Sequence, residues 1–165
     1  MHQIITKLVK TCRMALLFVL LATGQGYAAV NVPLFTLPTA LNGTLISSET
    51  FNGQTMLITF FAPWCGPCLQ EIPALKSLQA EFEDQGFSVI ALAVDEGGPG
   101  TVARLMQKAG INYPVLLADD TTRRQFGGIP TIPTSFLVNK KGHVVKKYGG
   151  LVSRGLLERD IESVL

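Results

Sequence analysis

The chain has 165 residues, 47% of them hydrophobic, with 14 Lys and Arg against 12 Asp and Glu. That length suits one domain with its own core. A net charge of +2, with Lys140, Lys141, Lys146 and Lys147 as the only local cluster of cations, argues against a nucleic-acid surface, and no repeat or low-complexity tract is visible.

Residues 1–28 read as an export leader. Lys7, Lys10 and Arg13 make a basic start, "MALLFVLLATG" (14–24) is apolar, and "GQGYAA" supplies small residues before a cut after Ala28. The apolar run is about half the ~20 residues that a spanning helix needs, so a signal peptide is the expectation and an uncleaved membrane anchor the alternative. Cys12 precedes the run, where a lipid-acceptor cysteine would follow it, and it leaves with the leader. The leader holds three of the 14 cations and no acid, so residues 29–165 carry a net −1.

In the remainder, "LNGT" (41–44) reads as a turn between two short extended pieces. "TMLITFFA" (55–62) is a continuous apolar run, the mark of a buried central strand. From Cys65 to about Gln85 the residues Leu69, Ile72, Leu75, Leu78 and Phe82 recur every three or four positions, one face of a helix. Pro73 should kink it and Gly86 end it. "FSVIALAVD" (87–95) is a second buried strand, followed by the loop "EGGPG". Residues 101–110 form a short helix, with Thr101 as N-cap and Gly110 as stop. "YPVLLAD" (113–119) reads as a third short strand and "DTTRRQF" as a helical turn or short helix. "TSFLV" (134–138) and "HVVKKYGG" (143–150) make an antiparallel hairpin through "NKKG". Lys140, Lys141, Lys146 and Lys147 are its solvated charges. Ser153 caps a last helix whose apolar face is Leu156, Leu157, Ile161, Val164 and Leu165. Strands alternating with helices, then a hairpin and a helix, predict an α/β fold around a mixed sheet.

Two cysteines remain after the leader, Cys65 and Cys68, in "ITFFAPWCGPCLQEIP". Zinc needs about four ligands, or three and a water, and only His143 could join them, so no metal is expected. The four-residue loop is too short to restrain the unfolded chain much, so the pair makes a poor staple. Cys65 follows a strand and opens a helix. There its sulfur meets unpaired N–H groups and the positive end of the helix dipole, which favour the thiolate. Cys65 is therefore expected as the exposed nucleophile that attacks a substrate disulfide. Cys68, one turn on and carried inward, resolves the mixed disulfide.

"WCGPC" after an apolar strand, with "PT" before a later one, resembles the thioredoxin superfamily. "WCGPCLQEIP" with Glu71 and Pro73 is similar to the exported TlpA/ResA-like thiol-disulfide reductases. The likeness covers roughly residues 32–165. It implies a thioredoxin-like mixed sheet with flanking helices, an N-terminal β-hairpin and a central strand-helix insertion. It places Glu71 by the cysteines as proton carrier for Cys68, against the plainer reading of an exposed helix glutamate. It implies a cis-proline beside the cysteines. In "GIPTIPTSFLV" Pro133 fits better than Pro130, leaving the Ile132 backbone to pair with a substrate strand and an edge where another chain can dock. Trp64 is either a cap over the site or a core aromatic. Thioredoxin's buried Asp, six residues before the first cysteine, is here Thr59, which cannot ionise.

The function this implies is a monomeric, exported protein-disulfide reductase without a cofactor. A DsbD/CcdA-type membrane donor would supply its electrons. Disulfide-containing exported proteins, apocytochrome c among them, would be its clients. Rival readings are an oxidant or isomerase, a thiol peroxidase and a redox-inert peptide-binding module. The oxidant would carry a helical insertion or a dimerisation arm, which residues 29–165 lack. The peroxidase would need Thr where Ala62 stands. The binding module would not need the cysteine pair.

Overall fold

The computed structural model describes residues 30–94 and 97–165. The leader, Cys12 and its cleavage site lie outside the described residues, and no helix among those described is long and apolar enough to cross a membrane.

The centre is strand β3 (Thr55–Phe61), buried along its whole length. It pairs in parallel with β4 (Phe87–Ala93) and antiparallel with β6 (Thr134–Val138). β5 (Val115–Leu117) extends the sheet in parallel beyond β4, and β7 (Val144–Gly149) closes the other side antiparallel to β6. The order is β5-β4-β3-β6-β7. A separate hairpin, β1 (Thr36–Pro38) with β2 (Leu45–Ser47), turns through "LNGT" as expected and bridges Thr39 to Leu116 beside β5. The helices are α1 (Gly66–Phe82), α2 (Pro99–Ala109), α3 (Asp120–Gln125) and α4 (Arg154–Glu162).

The apolar run of β3 is continuous because both faces are covered. Leu57 and Phe61 point to one face, against Leu75, Leu78 and Phe82 of α1 and Leu157 and Ile161 of α4. Met56, Ile58 and Phe60 point to the other, with Phe35, Phe51, Phe126 and Phe136. On that second face Phe126 packs edge-on to Phe60 and Phe136, with ring centroids 5.1 and 5.2 Å away. At about 25 cal/mol per Å² of apolar surface, these two layers are the main stabilisation of the fold.

Several boundaries differ from the sequence reading. α2 begins at Pro99, behind Gly98 at φ 82, and not at a Thr101 cap. Proline suits a first helical turn, where its missing N–H costs nothing. β5 spans three residues, because Pro114 cannot donate to a ladder. Ser153 is the N-cap of α4 but bonds through its carbonyl, not its side chain. Two of the four hairpin lysines have partners: Lys146 Nζ is 2.7 Å from Asp160 Oδ2, and Lys147 lies 5.2 Å over the Phe136 ring. β6 is interior, not an edge, and the Pro133 carbonyl accepts the Gly150 N–H at 2.8 Å.

Candidate active site

β3 ends at Phe61, and the chain turns through Trp64 into α1 with Cys65 as the N-cap. Cys65 has extended backbone, φ −83 and ψ 102, and its Sγ accepts the Cys68 N–H at 3.3 Å. One orphan amide of the first turn is thus satisfied by the sulfur itself. Pro67 sits in that turn, where no helical partner for an N–H is lost. Cys65 and Cys68 form a disulfide, S–S 2.07 Å.

The expected exposure of Cys65 is not observed. It is 5% exposed and Cys68 3%, so the two are distinguished by position and not by solvent contact. What lies over Cys65 is the loop before β6: Ile132 O is 3.7 Å from Cys65 Sγ. The cis bond among the described residues is Ile132–Pro133, so Pro133 holds the expected place and Pro130 does not. The Thr131 carbonyl is taken by the Thr134 hydroxyl at 2.7 Å. Ile132 has no backbone pair among the described residues. Trp64 is 70% exposed, which excludes the core reading. With Ile129, Pro130 and Ile132 it walls an open groove of about 330 Å³.

Glu71 lies one turn beyond Cys68 on the buried face of α1, 2% exposed, which overturns the plainer reading of a surface glutamate. Its Oε1 accepts the Val152 N–H at 3.1 Å. Burial raises its pKa above the usual carboxylate value, and the Val152 bond offsets part of that rise. Glu71 and Cys68 share a small cavity of about 10 Å³ with Thr59 and Tyr113. Thr59, in the position of thioredoxin's Asp, accepts the Ser135 hydroxyl at 2.9 Å across β3 and β6. No group of three or more potential metal-ligating side chains occurs among the described residues.

The six expected site residues thus fall into two arms about one disulfide. Trp64, Ile132 and Pro133 stand at its outer side, and Glu71 stands behind Cys68. Two further positions at the site have no part in the expected constellation: Tyr113, which the sequence places only in a strand, and Val152, which falls between the predicted hairpin and the last helix. Neither has a local pattern that marks it, since both reach Glu71 only through the tertiary fold.

The Redoxin family profile matches residues 28–165. This chain belongs to the Redoxin family. Within it, the chain is 30% identical over 116 residues to "Thiol-disulfide oxidoreductase ResA" of Bacillus subtilis (strain 168), covering 70% of this chain and 64% of that protein, just under two thirds of its length. The ResA of Bacillus thuringiensis (strain Al Hakam) is 30% identical over 128 residues, 76% of this chain and 72% of that one. The crystal structure of a thiol:disulfide interchange protein, a thioredoxin family protein from Chlorobium tepidum TLS, superposes with a TM-score of 0.78 at 32% identity. It covers 84% of this chain and 98% of that one. This Redoxin is therefore a ResA-like member of the thioredoxin superfamily, and it carries a Cys65–Cys68 disulfide.

Proposed function

We propose that this Redoxin reduces disulfides of exported proteins through the Cys65/Cys68 dithiol. The observation that carries the reading is a disulfide at a helix N-terminus with a buried carboxyl one turn behind its second sulfur. In the reduced protein, Cys65 as thiolate attacks one sulfur of a client disulfide. The client S–S bond breaks, one client thiolate leaves, and a mixed disulfide forms. Cys68 gives its proton to the Glu71 carboxylate, and its thiolate attacks the Cys65 sulfur. The second client thiolate leaves and takes up a proton. The protein ends as the Cys65–Cys68 disulfide and the client gains two electrons.

The raised pKa of Glu71 suits a proton acceptor, because a base is most effective when its pKa is close to the working pH. The Ile132 backbone, without a backbone pair among the described residues and with its carbonyl 3.7 Å from Cys65 Sγ, supports docking of an extended client strand there, with Trp64 as the outer wall. A reductant in an oxidising compartment must be recharged, so a membrane dithiol donor of the DsbD/CcdA type is part of the proposal. Apocytochrome c is the proposed client class, since its haem-attachment cysteines must be reduced. Export by residues 1–28, cleaved or retained as an anchor, places the reaction outside the cytoplasm.

Direction is tested by equilibrating the protein with glutathione or dithiothreitol. Gly66-Pro67 is thioredoxin's dipeptide, so the expected potential is below about −200 mV, on the scale where thioredoxin is about −270 and DsbA about −120 mV. A value near the latter would make the protein an oxidant.

A further inference from the structure

Tyr113 is a buried phenol that the exchange steps above do not use. It precedes Pro114 and the short β5, yet it lines the same cavity as Cys68, Glu71 and Thr59. The phenol is near enough to Glu71 that the carboxylate's charge adds to the effect of burial in holding the tyrosine protonated. A neutral phenol that keeps its proton is a hydrogen-bond donor. No direct bond joins the two side chains among the described residues, but the cavity, about 10 Å³, is just large enough for one water, and its polar groups, Glu71, Tyr113 and Thr59, are the partners such a water would need in an otherwise apolar lining.

The groups that face Glu71 are few. From α1 there is Cys68, and from the segment before β5 there is Tyr113. From β3 there is the Thr59 hydroxyl, and from the loop before α4 the Val152 amide. Lys76 is not among them, since its Nζ donates to Ala109 O at 2.7 Å. The Val152 amide occupies one carboxylate oxygen, which leaves the Tyr113 phenol and the Thr59 hydroxyl as the neutral donors on the shared cavity, and the phenol is the more acidic and so the stronger donor of the two.

We propose that Tyr113 is a positioning residue: through the cavity it shares with Glu71 and Cys68, its hydroxyl supplies a second, water-bridged hydrogen bond to the Glu71 carboxylate and so sets the pH at which Glu71 can accept the Cys68 proton. The inference rests on the reading of Glu71 as that acceptor, but its test does not need activity. In the disulfide form neither cysteine titrates, so the Glu71 carboxyl carbon can be followed alone by NMR across pH. Tyr113→Phe keeps the ring and removes the donor. The Glu71 midpoint should rise by about one pH unit, the scale of one hydrogen bond to a charged group. 3-Fluorotyrosine at position 113, a stronger donor of nearly the same shape, should lower it. That second variant decides the matter if Tyr113→Phe does not fold. A midpoint that stays put or moves the opposite way in the folded variant overturns the inference and leaves Tyr113 a packing residue, even if the melting temperature falls. The pH profile of mixed-disulfide resolution should move with the midpoint. If the midpoint moves and the profile does not, Tyr113 acts on Glu71 as inferred, and it is the role of Glu71 in exchange that fails.

Discussion

Replacing Glu71 by Gln separates proton transfer from folding. Gln keeps the shape and an acceptor oxygen, so the 3.1 Å bond from the Val152 N–H survives. What disappears is a carboxylate whose ionisation burial opposes. A positioned general base typically contributes about 10²–10⁴ in rate, so resolution of the mixed disulfide by Cys68 should slow by about that factor near neutral pH. The limb of the pH profile that rises as Glu71 ionises should vanish. Stability should move the other way. Because the folded pKa lies above the unfolded one, the unfolded chain loses its proton first as pH rises. Wild type is therefore progressively destabilised from the ordinary carboxylate range up through the folded midpoint. Gln escapes this loss, so its melting-temperature advantage should be absent in acid, grow with pH and then level off. Glu71→Ala removes the acceptor as well and should cost about 1 kcal/mol or more through the orphaned Val152 amide. Stopped-flow reduction of insulin or a client peptide across pH, beside thermal melts, reads all four. An unchanged rate profile in Glu71→Gln would refute the proton-carrier argument.

Alkylation of the reduced protein near neutral pH, with peptide mapping, should label Cys65 faster than Cys68, because Cys65 is the helix N-cap; faster labelling of Cys68 would reverse their roles. Gln79→Leu should cost about 1–3 kcal/mol in urea unfolding, since Gln79 Oε1 is the acceptor for the buried Val89 N–H at 2.8 Å. Asp160 is buried, and Lys146 and the Tyr148 hydroxyl hold its pKa below the usual Asp value. Its contribution is present above the unfolded Asp pKa and lost as pH falls through the folded one. Asp160→Asn should therefore lower the melting temperature at neutral pH and less so in acid.

Much of this was legible in the chain, for identifiable reasons. β3 and α1 announce themselves because a strand covered on both faces must be apolar throughout, and a helix on a sheet must repeat its apolar residues every three or four. "WCGPC" sits where one meets the other, so the nucleophile's helix-terminal position followed from local pattern. The burial of Glu71 was not readable. Its carboxyl lies next to Val152, 81 positions away, and to Tyr113, which only the sheet brings near. The near-complete cover over Cys65 escaped for the same reason, since it comes from the Ile132 loop, 67 residues on. The interior place of β6 depends on the pairing of β7, which a hairpin pattern suggests but does not orient relative to β3.

If Cys65 attacks and Cys68 resolves, removing the resolving sulfur should trap the mixed disulfide. Cys68→Ser, reduced and then mixed with a disulfide client, should stall as a covalent adduct through Cys65 that dithiothreitol releases. Cys65→Ser should form few adducts under the same conditions. Adducts that form through Cys68 as readily as through Cys65, or none with either variant while wild type still reduces the client, would show that Cys65 is not the attacking sulfur.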